Sequence, residues 1–277
     1  MTDPGIQEQF ERDGYIVVPG LLSPEEAAGY RRAIADVFDL PQDDVTAAID
    51  GATMTLADGV TITPRFWPLI FHPQLLAGVR SVLGPDIRYT QHSDLHINLR
   101  GGRWHRDNAC REFDVGPDWD EAEAPYKVVR IAIYLSDYAD SGSSLMVMPG
   151  SHRTESWLQR HEYTLWNKLR SAFRQRGQND RVPHWFFSRP AIRLKTKPGD
   201  CVIFDQRVMH AGGVLHGREP KYAIYLSYGV ENRHSHNHRA FFLDRPTYTR
   251  ELPAELSEKL EDASLLLPET NPTTSQA

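Results

Sequence analysis

His105-Arg106-Asp107 and, about a hundred residues later, His210 are the residues of this chain best suited to do chemistry. Side chains alternate along an extended strand, so a histidine and an aspartate at i and i+2 project to the same side. They can hold one ion together, and a histidine from elsewhere completes a face of two nitrogens and one carboxylate. That set leaves half an octahedron open, the arrangement of mononuclear non-haem Fe(II) oxygenases. The tripeptide alone is not specific. With 12 histidines and 37 acidic residues the pattern recurs, at His92-Ser93-Asp94. Context favours the first copy. Gly101 and Gly102 interrupt the chain just ahead of His105, which suits a bend that sets a side chain at a cavity mouth. The second copy is expected inside a regular strand over residues 87–98.

The elements that must position these residues are legible in outline. Residues 10–18, centred on Asp13-Gly14-Tyr15, read as a short helix running into a strand. Ser23-Pro24-Glu25-Glu26 starts a helix: a capping serine, proline at the first position and acids in the first turn. That helix is expected to reach about Phe38, and a second to run from Pro73 to Gly84-Pro85. Strands follow at residues 87–98, 127–136, 144–148, 192–195, 201–204 and 222–228, with turns at Asp140-Ser141-Gly142, Pro149-Gly150 and Pro198-Gly199-Asp200. Helices in front and many short strands behind predict a mainly β fold with flanking helices, a jelly-roll barrel.

The whole chain of 277 residues reads as one domain, with its core at about residues 10–230. Between them, residues 151–190 form a charged, aromatic-rich insert, helical from Thr154 to Gln175, a packing helix or a lid over the substrate. The tail from 265 to 277 is expected to be flexible. Hydrophobic content of 40% and charged content of 25% fit a soluble protein with a sizeable core. A net charge of −6 argues against nucleic-acid or anionic-membrane partners. No apolar run spans a bilayer, and Met1-Thr2-Asp3-Pro4 lacks the blocks of a secretory signal. Cys110 and Cys201 are too few for a disulfide scaffold, so a cytoplasmic location is expected.

The chain resembles the phytanoyl-CoA dioxygenase family of Fe(II)/2-oxoglutarate oxygenases. The matching pieces begin with Phe10, Asp13-Gly14-Tyr15 and Leu22-Ser23-Pro24-Glu25-Glu26. Next come Trp104-His105-Arg106-Asp107, Ile133-Tyr134-Leu135-Ser136-Asp137, Ser141-Gly142-Ser143 and Val147-Met148-Pro149-Gly150-Ser151-His152. The last is Pro198-Gly199-Asp200-Cys201-Val202-Ile203-Phe204-Asp205 ahead of His210. The resemblance implies a double-stranded β-helix, a cupin-like barrel. It also implies Fe(II) held by His105, Asp107 and His210, with 2-oxoglutarate and O2 at the open positions. Oxidative decarboxylation to succinate and CO2 would drive hydroxylation of an unactivated C–H bond of a small molecule. Relatives that halogenate have a small residue at the aspartate position, so the intact Asp107 implies hydroxylation.

The far carboxylate of 2-oxoglutarate needs a cation. The family usually supplies an arginine about eleven residues after the second histidine, two before a small apolar residue. Lys221 stands there, with Arg218 nearby and Arg130 as a further candidate. This is a departure, because lysine is a point charge and cannot make the planar two-pronged contact. His210-Ala211-Gly212 also lacks the hydroxyl residue often found two after the histidine. Phe204 occupies the place of an aromatic ring beside the cosubstrate.

His92, Asp94, His96 and Asn98 share one strand face by alternation. His96 is a candidate for 2-oxoglutarate contact; His92, Asp94 and Arg106 are candidates for substrate contact. Arg103, Arg106, Arg111 and Arg130 could attract an anion. The run His234-Ser235-His236-Asn237-His238 has ligand-like spacing but reads as a polar loop. Two other function classes share this pattern. One is a cupin-type mononuclear metal enzyme, such as an isomerase or a dioxygenase without cosubstrate. The other is a non-catalytic binding module of the same fold, which should have lost a ligand.

Overall fold

The computed structural model describes residues 4–41, 53–98, 103–141, 145–175, 188–213 and 219–269. In chain order the strands are β1 (Tyr15–Val18), β2 (Met54–Ala57), β3 (Ile87–Tyr89), β4 (Asp94–Ile97) and β5 (Val128–Tyr134). They continue as β6 (Leu145–Val147), β7 (Ile192–Leu194), β8 (Cys201–Asp205), β9 (His210–Gly212) and β10 (Tyr222–Val230). The longer helices are α1 (Pro4–Asp13), α2 (Pro24–Val37), α3 (Pro73–Leu83), α4 (Trp157–Gln175), α5 (Arg233–Leu243) and α6 (Ala254–Asp262). All strand pairs are antiparallel. The large sheet has the order β1-β8-β5-β10-β4-β2, with β3 also on β10; the small sheet is β7-β6-β9. The two faces meet in the double-stranded β-helix of the cupin type.

β5, Val-Val-Arg-Ile-Ala-Ile-Tyr, is buried along its whole length. A nearly continuous apolar run is what a strand covered on both faces requires. Val129, Ile131 and Ile133 turn outward and pack with Ile203, Ile224 and Leu226 under helices that contribute Ile34, Leu75, Val79, Leu256 and Leu260. Ala132 and Tyr134 turn inward to Phe204, Ala223 and Tyr225, and meet Leu145, Val147 and Leu194 of the small sheet. Arg130 is the inward-facing exception, and it stands at the site.

Local chemistry explains the frame. Ser23 caps α2: Glu26 N donates to Ser23 Oγ at 3.2 Å and Ser23 N to Glu26 Oε2 at 2.8 Å, a reciprocal capping box. Gly14 ends α1 at φ +80, and a Cβ there would lie 2.4 Å from Val208 and 2.5 Å from the His152 ring. Gly199 has φ +91, and a Cβ would fall 2.0 Å from the Leu22 carbonyl oxygen. Only glycine fits where the chain before α2 crosses the β7–β8 turn.

Three expectations are corrected. The strand foreseen over 87–98 is two strands, broken where Gln91 takes a left-handed φ of 58. The histidine run 234–238 is helical: Asn232 accepts from His234 N and Ser235 N as an N-cap, and His234, His238 and Phe242 form a buried i, i+4 face. The tail is packed at its start. Leu265 and Leu267 are buried, and Tyr89 N donates to Leu265 O at 2.8 Å; residues 270–277 lie outside the described ones.

Candidate functional site

The segment carrying His105 and Asp107 lies antiparallel to β9. His105 N donates to His210 O at 3.0 Å, His210 N to His105 O at 2.9 Å, and Asp107 N to Gln206 O at 2.8 Å. This pairing brings the three side chains together. His105 Nε2 is 3.4 Å from Asp107 Oδ1 and His210 Nε2 is 3.5 Å from Asp107 Oδ2. One ligand atom from each lies within 4.8 Å of the others, the one such group found among the described residues.

The rings are turned for coordination. His105 Nδ1 faces Arg103 O at 2.5 Å, and His210 Nδ1 faces Val208 O at 3.0 Å. A carbonyl only accepts, so each Nδ1 carries the proton and each Nε2 offers its lone pair to the shared point. Burial, then the neighbouring His105, lowers His210 to about 4 and keeps its imidazole neutral. Burial pushes the Asp107 carboxyl up, but His210, His105 and Arg130 outweigh it and hold the group well below the usual carboxylate range. The donor set thus fits a divalent ion in its charge and in its lone pairs.

Arg106, between two of these residues, points the opposite way and is not among the residues that line the cavity beside them. It is fully buried, donating from Nε to Arg207 O at 2.9 Å and from Nη2 to Ser151 O at 3.3 Å and Glu155 Oε1 at 2.8 Å. Strand alternation sends it inward, where Glu155 balances its charge. Its effect is to pin the 105–107 segment to the carbonyl three residues before His210.

A cavity of about 300 Å³ opens over the three residues, with His92, Asp94 and His96 on its wall. Here the second tripeptide takes a different form. Asp94 Oδ2 receives Arg130 Nη2, and Tyr248 OH donates to Asp94 Oδ1 at 2.7 Å. Burial raises Asp94, but Arg130 and hydrogen bonding overcome it and hold the carboxylate far below its ordinary range. His92 stacks on Phe242 with ring centroids 3.4 Å apart and hydrogen-bonds His238 at 3.1 Å. Burial first, and the Arg130 charge second, drive both rings to the neutral form, His238 to about 3. Thr55 Oγ1 meets His96 Nδ1 at 3.3 Å.

Phe204 is buried beside the cluster, its ring edge-on to His210 with centroids 4.9 Å apart. Lys221 stands just before β10, with Nζ 5.5 Å from the Tyr134 ring centroid. It is 2% exposed and no carboxylate of the described residues pairs with it; burial lowers it to about 8. A buried cation without a counter-ion fits a ligand that brings a carboxylate. Arg218 lies outside the described residues.

No described residue of the insert lines the cavity. Instead Asn167 brackets Trp104, accepting from its N and donating to its O at 3.0 Å each, beside the metal-facing segment. The wall missed by the sequence reading is Phe242, Arg245, Thr247 and Tyr248. The Asn232 cap followed by His234, His238 and Phe242 at i, i+4 spacing was the available signal; nothing local revealed Thr247 and Tyr248. No described helix is long and apolar enough to cross a membrane.

The chain is 29% identical over 241 residues to the ectoine dioxygenase of Nocardia farcinica (strain IFM 10152), covering 80% of this chain and 76% of that one. It is 25% identical over 233 residues to the dioxygenase FrzG of Cladobotryum sp, covering 76% and 69%. Among solved structures its fold is similar to that of the epimerase SnoN in complex with Fe3+, alpha ketoglutarate and nogalamycin RO. That match has TM-score 0.60 and 17% identity, covering 91% of this chain and 94% of that one. HygX from Streptomyces hygroscopicus with nickel and 2-oxoglutarate bound gives TM-score 0.59 at 17% identity, covering 83% and 88%. The family model for phytanoyl-CoA dioxygenase matches residues 10–221, a span that takes in both segments carrying the clustered histidines and aspartate, and the chain belongs to that family.

Proposed function

We propose that this chain hydroxylates an unactivated C–H bond of a small molecule, with His105, Asp107 and His210 holding Fe(II) and Lys221 anchoring 2-oxoglutarate. The observation that carries this reading is the convergence of two imidazole Nε2 atoms and one carboxylate at the wall of a cavity. When bound, iron and 2-oxoglutarate supply the oxidising chemistry, with dioxygen as oxidant and succinate and CO2 as co-products. The protein's part is positioning. Arg103 O and Val208 O orient the two rings, and Arg106 and Glu155 lock the segment between them. Phe204 covers His210 from the barrel interior, and Lys221 offers a protonated amine to the far carboxylate. Tyr225, which lines the cavity, stands four residues after Lys221.

The test is direct. The purified chain should bind one Fe(II), and its O2 consumption should require 2-oxoglutarate and yield succinate. Robust O2-dependent product formation without 2-oxoglutarate would sink the proposal.

A further inference from the structure

The cavity wall carries three cations, Arg111, Arg130 and Arg245, against two anions, Asp94 and Asp107. Both anions have assigned partners. Asp94 is taken up by Arg130 and Tyr248, and Asp107 faces the two histidines. Of the buried arginines away from the cavity, Arg106 pairs with Glu155 and Arg207 with Asp205. Arg111 and Arg245 have no carboxylate partner among the described residues. A divalent ion and a doubly charged cosubstrate cancel, so filling the iron and 2-oxoglutarate positions leaves this end of the cavity positive.

Arg245 is also held in place. Its guanidinium lies 4.1 Å from the Phe242 ring centroid and 4.9 Å from that of Phe241, and its backbone N donates to Phe242 O at 3.1 Å. A guanidinium fixed on aromatic faces keeps its in-plane N–H donors free and has little entropy to lose on meeting a ligand. Burial and then the charge of Arg111 lower Arg245, so the two cations sense each other. Two like charges sharing a cavity wall, neither in an ion pair with a carboxylate of the described residues, are complementary to an oxyanion. The remaining wall is polar on one side, with Thr55, Thr247 and His96, and apolar only at Ala57, Leu145 and Phe242.

We propose that Arg111 and Arg245 form the anion-binding end of the substrate site, so that the substrate is a small molecule carrying a carboxylate or another oxyanion away from the C–H bond attacked. The inference rests on the oxygenase reading and adds the substrate's charge to it. A cavity of about 300 Å³ is at the small end for ligand sites, which agrees with a compact, charged metabolite rather than a long hydrocarbon.

The experiment uses the Fe(II)·2-oxoglutarate form kept free of oxygen and a probe pair of the same shape, the anion cyclohexanecarboxylate and the neutral cyclohexanecarboxamide, titrated by calorimetry. Iron and 2-oxoglutarate affinities are measured first on the same samples, and so report separately on the oxygenase reading. The carboxylate should bind at least about tenfold more tightly than the amide, and each of Arg111→Gln and Arg245→Gln should remove about tenfold of carboxylate affinity. The double variant should show no preference and unchanged iron and 2-oxoglutarate binding. Equal binding of acid and amide, binding of neither, or a preference that survives the double substitution overturns the inference. So does a fall in 2-oxoglutarate affinity in the double variant, which would assign the pair to the cosubstrate.

Discussion

Two His-x-Asp tripeptides line one cavity, and their surroundings give them opposite roles. At His105-Arg106-Asp107 the carboxylate faces two imidazole Nε2 atoms at 3.4 and 3.5 Å, while the nearest Arg130 nitrogen stays 4.0 Å away. At His92-Ser93-Asp94 the carboxylate is consumed by Arg130 and Tyr248, and the histidine by Phe242 and His238. The lesson is that a pair of ligand-type residues is left free to offer itself to a metal only where no protein cation hydrogen-bonds the acid and a third donor arrives. Arg130 decides the matter: it is the one inward charge on β5, and it bonds Asp94 Oδ2 and His92 O together.

The largest expected effect breaks the comparison at its centre. His105→Ala, Asp107→Ala and His210→Ala should each abolish stoichiometric Fe(II) binding and turnover with near-native circular dichroism. His92→Ala and Asp94→Asn should retain the iron, and metal analysis of the purified variants checks both arms. Iron lost from the second pair and kept by the first would reverse the assignment.

Next in size is Arg130→Met. It leaves Asp94 buried without its cation, and removing one member of a buried pair costs about 3–5 kcal/mol. Urea unfolding should show that loss, whereas iron should still bind. Third is Lys221→Met, expected to raise the KM for 2-oxoglutarate by about tenfold to a hundredfold, the value of a charge-assisted contact. The pH dependence sharpens this prediction. Lys221 is lowered to about 8, so below that pH it is protonated and receives the carboxylate, and above it the charge fades. The wild-type KM should therefore climb as pH rises through about 8, and Lys221→Arg should flatten the profile. A wild-type KM indifferent to pH from 7 to 9 counts against the lysine. The smallest effect is Tyr248→Phe, which removes one hydrogen bond to the Asp94 carboxylate and should cost about 1.5 kcal/mol in urea unfolding with iron content unchanged.

Much of the frame was legible because its signals are local. The Ser23 cap, the proline after it, the Gly199 turn and the apolar run of β5 each depend on a few adjacent residues, and each stands where it was expected. The helix over 233–243 was misread because its polar surface outweighed a cap and a narrow buried face. The break at Gln91 was missed because nothing in His92-Ser93-Asp94 announces that residues 90–93 leave the ladder. Arg106 was misplaced for another reason: alternation sets the side opposite to its neighbours, but not what waits there, and Glu155 lies 49 residues away.

By itself the sequence determined which residue types could serve a metal, the spacing that puts His105 and Asp107 on one side, and the barrel's alternating elements, since these follow from backbone period and side-chain chemistry. Only the tertiary structure decided which tripeptide keeps a free carboxylate, that α4 supports the 104 segment instead of lining the cavity, and that the turn after α5 closes the wall with Arg245 and Tyr248. The physical reason is that charge pairing and burial act through space. Arg130 lies 36 residues from Asp94 and Tyr248 lies 154 from it, and no local pattern records which distant group will neutralise a buried acid.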